Sequence, residues 1–496
     1  MSFSKVPQKA REFGFFVGGN WYASEGRDLL SRKAPGYGLE VSRITLCNTE
    51  DVNKAVAAAR ATFNNGYWAS ISGADRGKVL TLTAQGIRDR IEELAFWETL
   101  ETGKPISQSR SEIADAATHY EYCAGLAQTL HGETFNNYGD SLFGMVIREP
   151  IGVVGLITPW NFPFIVLSER LPYILASGNS IVVKPSELTS VTTLLLADIL
   201  KKSGLPDGAY NVVTGYGNQV GQAISEHPGI DAISFTGSTQ TGEAVMKAAA
   251  TNFKKVNLEL GGKNPQIVFA DADLEDAADG VAFGMCFNAG QCCVSGSRLI
   301  VESSVKDQFL DLLVHKLNRL IVGDCFDANS QMGAIVSAEH CSKIHRYVNL
   351  GIEEGGNVLI GGKNMKINEG GCFYSPTIIL GIQNDMRVGR EEIFGPVLSV
   401  MTFENEQKAI SLANDSDYGL SLSVWSKNID KAMGMIRKVN GGRTWVNTTI
   451  AGGPGQPLGG YKQSGIGRDA GLYGVEEYTE IKSIHVALGK RMSWIK

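Results

Sequence analysis

The sequence contains no apolar run approaching the roughly 20 residues that a membrane helix needs. Its first residues, Met-Ser-Phe-Ser-Lys-Val-Pro-Gln-Lys, also lack the continuous apolar core of a signal peptide. Eight cysteines in 496 residues are few and show no regular pairing, so the sequence does not indicate a disulfide scaffold and fits a reducing compartment. We therefore expect a cytoplasmic protein without a membrane span.

A concentration of positive charge is also missing. The chain has 46 Lys and Arg against 52 Asp and Glu, for a net charge of -6, and its basic residues are scattered. Without a basic stripe, no nucleic-acid partner is expected. No group of His and Cys residues has the spacing of metal ligands, so no metal site is predicted. At this length, the composition predicts a globular protein with two or three domains.

Local patterns near the start of the chain predict a hairpin followed by helices. Gly18 and Gly19 separate two short apolar runs, and adjacent glycines permit the positive φ that a tight hairpin turn requires. Asp51 is a candidate cap for a helix in which Val52, Val56 and later apolar residues recur with a period near 3.6. The first third of the chain is therefore expected to be largely helical.

The middle of the chain carries short runs of Val and Ile separated by helical patterns. These runs cover residues 153–157, 180–183, 209–213 and 232–235, and they are typical of a parallel sheet buried on both faces. A second series of strands and helices begins near residue 266, with helices predicted over 305–320, 338–351 and 430–439. Residues 131–150 and 475–486 are predicted to form strands of an appendage.

Two adjacent thiols, Cys292 and Cys293, lie in a turn-rich stretch after a helix predicted over residues 273–287. A structural cysteine usually lies inside an apolar run, whereas a nucleophilic one must reach solvent and have its thiolate stabilised. Because Gly290, Gly296 and their polar neighbours make this stretch a loop, the sequence favours a reactive thiol here.

Seven segments, in order along nearly the whole chain, resemble motifs of the aldehyde dehydrogenase superfamily. They are residues 158–163 (Thr-Pro-Trp-Asn-Phe-Pro), 184–187 (Lys-Pro-Ser-Glu), 235–242 (Phe-Thr-Gly-Ser-Thr-Gln-Thr-Gly), 258–263 (Leu-Glu-Leu-Gly-Gly-Lys), 288–298 (Asn-Ala-Gly-Gln-Cys-Cys-Val-Ser-Gly-Ser-Arg), 391–396 (Glu-Glu-Ile-Phe-Gly-Pro) and 457–460 (Pro-Leu-Gly-Gly). Any one of these could arise by chance, but seven in order are a specific signal.

The resemblance implies an α/β fold with two doubly wound α/β domains and a small β oligomerisation appendage. It implies a dinucleotide-binding domain over residues 1–130 and 151–260 and a catalytic domain over residues 261–460. Residues 131–150 and 475–490 would be oligomerisation segments of a homodimer or homotetramer.

For catalysis, the resemblance implies oxidation of an aldehyde to a carboxylic acid. The family's pattern, Gly-Gln, one variable residue and then the catalytic cysteine, selects Cys293 as nucleophile and makes Cys292 its variable neighbour. Asn161 matches the side-chain donor of the oxyanion hole, which is completed by a backbone N–H near the nucleophile. Glu259 matches the base that activates water to hydrolyse the thioester, and burial at its strand end could raise its pKa.

Two alternatives to this reaction remain open from the sequence. In a CoA-acylating enzyme the acyl group would pass to a thiol, but such relatives generally lack the glutamate that Glu259 matches. A dinucleotide-binding structural protein without catalysis is disfavoured because Cys293, Glu259 and Asn161 are all present.

The resemblance also implies a nicotinamide dinucleotide cofactor. Ser238 matches a contact of the pyrophosphate at a helix N-terminus, and Lys184 and Glu187 match residues that bind the adenosine ribose. A carboxylate at this ribose would repel a 2′-phosphate, which favours NAD over NADP. Three further residues match the nicotinamide ribose ligand or pack around the cofactor: Glu392, Trp160 and Phe394.

The substrate channel departs from the family's usual aromatic box. Phe162 and Phe287 match the box, but Glu169, Gly452 and Leu458 stand at positions that are often aromatic. We therefore expect a wider and more polar tunnel, and a polar rather than aromatic aldehyde as substrate. Under one hypothesis Glu169 contacts a hydroxyl or ammonium group of the substrate; under the other it only forms a salt bridge with a basic residue such as Arg170.

Further charged residues leave the class of substrate undecided. Asp115 and His119, on the preceding helix, could assist Glu169 with a cationic or hydroxylated aldehyde. Arg443, where a small residue is more usual, could instead meet an anionic aldehyde, or could be exposed without a role in binding. From sequence alone, these alternatives remain open.

Overall fold

The computed structural model of the protein describes residues 6–490 and 493–495. Its strands are β1 Arg11–Phe13, β2 Phe15–Val17, β3 Asn20–Tyr22, β4 Leu29–Lys33, β5 Glu40–Thr45, β6 Glu133–Phe135, β7 Leu142–Pro150, β8 Val153–Ile157, β9 Ser180–Lys184, β10 Tyr210–Val212, β11 Ala232–Thr236, β12 Lys255–Glu259, β13 Pro265–Val268, β14 Arg298–Glu302, β15 Asn357–Ile360, β16 Asn364–Met365, β17 Phe373–Tyr374, β18 Thr377–Leu380, β19 Val397–Phe403, β20 Tyr418–Gly419, β21 Ser421–Trp425, β22 Arg443–Val446, β23 Tyr461–Lys462, β24 Gly465–Ile466 and β25 Thr479–Ala487.

The α-helices are α1 Thr49–Asn65, α2 Tyr67–Ser70, α3 Gly73–Asp89, α4 Ile91–Thr102, α5 Ile106–Thr129, α6 Pro163–Ser168, α7 Leu171–Ala176, α8 Val191–Lys202, α9 Gln222–Glu226, α10 Thr239–Ala249, α11 Leu274–Cys286, α12 Lys306–Arg319, α13 Ala338–Glu353, α14 Arg387–Arg390, α15 Glu406–Asn414, α16 Ile429–Lys438 and α17 Gly471–Glu476. Within residues 6–490 and 493–495, no helix has the length and apolar character needed to cross a membrane.

The first turn and the first helix show how local chemistry sets the backbone. The hairpin prediction is confirmed: β2 and β3 pair antiparallel, and Gly18 and Gly19 between them have φ of 61° and 79°. The prediction that Asp51 caps α1 was wrong, because Asn48 is the cap. The Asn48 side chain accepts from the N–H of Asp51, while the Asp51 carboxylate accepts from the N–H of Asn48. This reciprocal arrangement is a capping box.

The first large sheet has eight strands in the order β24-β12-β11-β8-β9-β10-β2-β3. Its central strands, from β12 to β10, run parallel, and every residue of β8 and β9 is buried. Burial on both faces explains why these strands are continuous runs of Val and Ile rather than alternating patterns. The carboxyl ends of β8, β9, β11 and β12 therefore lie along one edge of this sheet.

The second large sheet has seven strands in the order β15-β18-β19-β14-β13-β21-β22 and is parallel apart from β15. Neighbouring residues of β13 point to opposite cores: Val268 packs with α11, α12 and α13, whereas Ile267 packs with α15 and α16. The helices predicted over 305–320, 338–351 and 430–439 are confirmed as α12, α13 and α16. The fold is therefore α/β, with helices on both faces of the second sheet.

A separate three-stranded antiparallel sheet contains β6, β7 and β25. β25 pairs with β7 over its whole length, from Thr479 opposite Pro150 to Ala487 opposite Leu142. The prediction that this strand begins at residue 475 was wrong, because α17 occupies residues 471–476 and the strand begins at Thr479.

Between the second sheet and this appendage, the chain returns to the first sheet. β24 pairs antiparallel with β12, with Gly465 opposite Glu259 and Ile466 opposite Leu258. The end of β12 is therefore flanked by strands on both sides, at the edge of the sheet where several sequence-predicted site residues lie.

Candidate active site

The loop after α11 holds both adjacent thiols in a tightly constrained backbone. Ala289 has a φ of 54° and Gly290 a φ of 69°, both in the left-handed region. A Cβ at Gly290 would lie 2.2 Å from the carbonyl oxygen of Gly395, so only glycine fits there. Cys292 is buried at 5% exposure, whereas Cys293 is partly exposed. Of the two thiols, Cys293 is therefore the one that a substrate can reach.

A network of amide side chains fixes this loop against the end of β8. The Asn161 side chain donates from Nδ2 to the carbonyl oxygen of Gln291 at 3.0 Å, and the Asn288 side chain donates to the carbonyl oxygen of Asn161 at 3.0 Å. Gln291 accepts at Oε1 from the N–H of Val336 at 2.8 Å. Since an amide nitrogen carries two N–H groups, Asn161 has a second donor beside the loop that holds Cys292 and Cys293.

Glu259 ends β12 as a buried carboxyl group. Its Oε1 has no hydrogen-bond partner among the described residues, and a Cβ at Gly459 would lie 3.0 Å from that oxygen. Burial raises the pKa of Glu259 well above its ordinary value; the nearby charge of Asp469 raises it further, and that of Arg170 opposes the rise. A carboxyl group with a raised pKa suits a general base.

A side-chain hydrogen bond with Cys292 raises the pKa of the Cys293 thiol, and burial raises it further. Ionised Cys293 in turn raises the pKa of Glu259. A negative charge on one of these groups therefore opposes ionisation of the other.

A buried ion pair that was not predicted from sequence lies beside Glu259. Arg170 Nη2 is 2.6 Å from Asp469 Oδ2, and Asn257 donates from Nδ2 to Asp469 Oδ1 at 2.9 Å. The sequence signal for Arg170 was its place beside Glu169 within the largely apolar stretch 163–176, which suggested Glu169 rather than Asp469 as its partner.

Cys293 and Glu259 face one cavity of about 460 Å³. All four sequence-predicted substrate residues line it: Phe162, Glu169, Phe287 and Arg443. The Phe162 and Phe287 rings stack with centroids 5.7 Å apart. The wall also contains two residues that the sequence analysis identified as polar, Asp115 and His119, and two that replace the usual aromatics, Gly452 and Leu458. Ile450 and Pro454, also in the wall, were not predicted, because a loop residue's direction is not encoded by any periodic pattern.

For Glu169, the structure contains the salt bridge with Arg170 that was considered from sequence. Its Oε2 lies 3.6 Å from Arg170 Nη1, and its side chain, 20% exposed, also faces the cavity. Arg170 makes its shorter contact with Asp469. The salt bridge of Glu169 is thus a loose one, and its carboxyl group can still meet a ligand.

A buried charge cluster lies behind Phe162 and was also missed from sequence. The Lys104 ammonium lies between the carboxylates of Glu98 and Glu112 and is 4.4 Å from the centroid of the Phe162 ring. Glu112 lines the cavity. Burial raises the pKa of Glu98 to about 7, against the charge of Lys104.

Two of the predicted cofactor residues, Lys184 and Ser238, lie at the carboxyl ends of strands of the first sheet and outside this cavity. Lys184 ends β9, and its buried Nζ lies 3.3 Å from Glu187 Oε2. Ser238 follows β11 and caps α10, accepting from the N–H of Thr241 at 3.2 Å. Parallel strands present dinucleotide sites at such an edge, and a helix N-terminus there offers N–H groups to a phosphate.

The remaining predicted cofactor residues form a second group nearer the nucleophile loop. Glu392 accepts at Oε1 from the N–H of Gly262 at 3.0 Å, and burial raises its pKa to about 7. The Trp160 and Phe394 rings meet edge to face with centroids 5.3 Å apart.

Two orphaned hydroxyl groups support a polar ligand at this edge. Thr158, just after β8, has a buried Oγ1 without a hydrogen-bond partner among the described residues, and so does Thr236, at the end of the neighbouring β11, which also lines the cavity of Cys293 and Glu259. The polar groups present therefore fit a dinucleotide.

Comparison with known proteins gives a consistent result. The sequence profile of the aldehyde dehydrogenase family matches residues 21–484. The chain is 44% identical to betaine aldehyde dehydrogenase of Bacillus subtilis over 95% of this chain and 96% of the relative. It is 40% identical to NADP/NAD-dependent aldehyde dehydrogenase PuuC of Escherichia coli over 98% and 97% of the two chains.

Solved structures show the same relationship. An NAD-dependent aldehyde dehydrogenase from Sinorhizobium meliloti is 46% identical, with a TM-score of 0.96 over 98% of this chain and 96% of that one. A betaine aldehyde dehydrogenase from Staphylococcus aureus, solved with NAD+, is 38% identical, with a TM-score of 0.95 over 97% of both chains.

Proposed function

The chain belongs to the aldehyde dehydrogenase family and is an NAD-dependent aldehyde dehydrogenase, and we propose that Cys293, Asn161 and Glu259 carry out its reaction. The observation that carries this proposal is the meeting of Cys293 and Glu259 in one cavity. Asn161 holds the nucleophile loop through the carbonyl group of Gln291.

In the first half of the reaction, the Cys293 thiolate adds to the aldehyde carbonyl and forms a thiohemiacetal. The second N–H of Asn161 and a backbone N–H near Cys293 donate to the resulting oxyanion. The chemistry that NAD supplies when bound is acceptance of a hydride.

In the second half, an acyl group is joined to Cys293 as a thioester. Glu259 takes a proton from water, the water oxygen attacks the thioester carbon, and the carbon–sulfur bond breaks. The carboxylic acid leaves and Cys293 is regenerated. The raised pKa of Glu259 makes it a stronger base than an ordinary carboxylate.

A combined kinetic and mass experiment tests this assignment. NADH formation from an alkyl aldehyde is measured with NAD and without CoA, and the protein mass is recorded during turnover. Cys293→Ala is expected to abolish turnover, and Glu259→Gln is expected to give one burst of NADH with the acyl group retained on the protein. The exposed Glu243→Gln is the matched control. Undiminished turnover by Glu259→Gln, or a requirement for CoA, would contradict the proposal.

For the cofactor, we propose that Lys184 and Glu187 bind the adenosine ribose of NAD and that Ser238 lies at the pyrophosphate. Glu392 would bind the nicotinamide ribose, with Trp160 and Phe394 packed around the cofactor. The strand-end positions and orphaned hydroxyls described above support this assignment. Glu187→Gln should narrow the preference for NAD over NADP in steady-state kinetics, and an unchanged preference would count against it.

For the substrate, we propose a polar rather than aromatic aldehyde. Only two aromatic residues, Phe162 and Phe287, line the described cavity, whereas Glu169 and Asp115 add acidic groups to its wall. The Bacillus relative is named for betaine aldehyde, a cation, which agrees with an acidic wall. Specificity profiles of the wild type and Glu169→Gln test this. Equal discrimination between polar and alkyl aldehydes of one length would refute a role for Glu169.

We propose that the dinucleotide-binding domain spans residues 1–130 and 151–260 and that the catalytic domain spans residues 261–460. We also propose that residues 131–150 and 475–490 join the subunits of a homodimer or homotetramer. The exposed Ile481 on β25, 63% accessible, supports an interface on that sheet. Light scattering of the wild type and Ile481→Asp tests this interface, and an unchanged mass of the oligomer would contradict it.

We also propose a cytoplasmic location, because all eight cysteines are unpaired.

A further inference from the structure

Arg443 and Gly452 occupy the same corner of the substrate cavity. A Cβ placed on Gly452 would lie 2.4 Å from Arg443 Nη2. The guanidinium group therefore fills the volume that a side chain at position 452 would take. The sequence departs from the family's usual residues at both positions. These two departures are linked, because the large side chain at 443 occupies the space left by the missing side chain at 452.

The Arg443 side chain is held but not neutralised. Its Nη2 donates to the carbonyl oxygen of Ala451 at 3.3 Å, and its Cζ lies 5.2 Å from the centroid of the Trp445 ring. No carboxylate of the described residues lies within ion-pair distance of it. A guanidinium group has five N–H donors, so most of them remain available to an anion.

A second part of the wall presents acceptors. The carboxylates of Asp115 and Glu169 face the cavity, and no described residue donates a hydrogen bond to the Asp115 carboxylate, although the Thr118 hydroxyl donates to the Asp115 backbone carbonyl oxygen. The Tyr173 hydroxyl donates its single proton to the carbonyl oxygen of Pro454. Its contact with His119 Nδ1, at 3.2 Å, therefore requires Nδ1–H to be the donor, which leaves Nε2 as an acceptor.

These two parts of the wall face the same cavity, because Asp115, His119, Glu169 and Arg443 all line it. Burial raises the pKa of Glu169, and the charges of Arg170 and Arg443 oppose that rise. Burial also lowers the pKa of His119 to about 4, so the imidazole is neutral near pH 7 and does not repel a cation.

We propose that the substrate is a zwitterionic aldehyde, with an ammonium group and a carboxylate together at the end remote from the carbonyl. Asp115, His119 and Glu169 receive the ammonium group. Arg443 receives the carboxylate. A purely cationic aldehyde would leave the donors of Arg443 unused, and a purely anionic one would leave the acceptors of Asp115, His119 and Glu169 unused, so an aldehyde with both groups gains more from the wall than one with either group alone. This inference rests on the proposed function, because it assigns a substrate to that same cavity.

A deletion series of aldehydes tests the inference. Four classes are compared at several matched chain lengths: both charged groups, ammonium alone, carboxylate alone and neither. The amine is placed where it cannot cyclise onto the aldehyde. We expect the zwitterion to exceed either singly charged aldehyde in kcat/KM by roughly 10- to 100-fold, the range for a charge-assisted hydrogen bond.

Variants assign each charge to its residue. Arg443→Gln should lower kcat/KM by about tenfold or more for carboxylate-bearing aldehydes and leave the aldehyde with ammonium alone little changed. Gly452→Ala, which displaces the guanidinium group without removing its charge, should reproduce that pattern. Asp115→Asn should weaken only the ammonium-bearing classes. The exposed Arg437→Gln is the matched control.

The outcomes separate this inference from the proposed function. Turnover of the uncharged aldehyde with NAD establishes the reaction independently of the head group. If, at every length, the added carboxylate gives no advantage over the ammonium group alone, the inference is wrong although the enzyme is an aldehyde dehydrogenase. An equal loss for all four classes in Arg443→Gln would also overturn it, because it would show a structural role only.

Discussion

Lys104 provides a sharp test of the energetics behind the active site. Its ammonium group is completely buried between Glu98 and Glu112, against the ring of Phe162. Lys104→Met keeps an unbranched side chain one atom shorter and removes the ammonium group, which leaves two carboxyl groups buried without their cation. Breaking a buried ion pair by removing one partner typically costs about 3–5 kcal/mol of folding free energy.

The cost depends on pH in a direction that the structure fixes. The pKa of Glu98 is raised from 4.5 to about 7 even with Lys104 present, a shift equivalent to roughly 3 kcal/mol. The folded protein therefore keeps a proton that the unfolded chain has lost, and stability falls as pH rises through this interval. Without Lys104 the pKa rises further, so the fall continues to higher pH. We expect Lys104→Met to be mildly destabilised near about pH 5 and strongly destabilised near about pH 8.

Urea unfolding monitored by tryptophan fluorescence at these two pH values measures the effect. Lys104→Met/Glu112→Gln should regain about 1–2 kcal/mol at the higher pH, because one uncompensated charge is gone. The exposed Lys247→Met, which breaks only a surface pair with Glu243, should cost less than about 1 kcal/mol at either pH. An equal loss for Lys104→Met at both pH values, or no recovery in the double variant, would refute the reasoning.

Three further predictions concern the nucleophile loop. Asn161→Ala should lower kcat by about 10² to 10³ with a small effect on KM, since it removes an oxyanion donor, and a change confined to KM would argue against that role. Cys292→Ala should lower the pKa of Cys293, because the Cys292 thiol raises it, so alkylation of Cys293 near neutral pH should become faster; an unchanged pH profile of alkylation would contradict this. Gly290→Ala, whose Cβ would lie 2.2 Å from the carbonyl oxygen of Gly395, should lower both the melting temperature and the activity, and normal values of both would show that the loop can relax.

Periodic patterns in the sequence predicted the architecture well. Runs such as 153–157 and 180–183 became the central strands β8 and β9, because a strand buried on both faces must be apolar throughout. The start of a helix was harder to predict where two neighbouring residues could each serve as its N-terminal cap. Asn48 and Asp51 are both good caps, and the helix uses them together in one capping box.

Residues within motifs were predictable, whereas pairings across the chain were not. Phe162, Glu169, Phe287 and Arg443 were predicted as substrate residues and line one cavity with Cys293. The pair Arg170 and Asp469, and Lys104 with its two carboxylates, were missed for a physical reason. A single charged residue in sequence is usually solvated, and only the folded chain shows which partner allows it to be buried.

The return of the chain from the second sheet to the first has a consequence for biosynthesis. Glu259 lies on β12, but the strand that flanks it, β24, and the neighbouring Gly459 come about two hundred residues later in the chain. A polypeptide still being translated therefore contains Cys293 before the surroundings of Glu259 exist. These surroundings can be completed only after β24 has been synthesised.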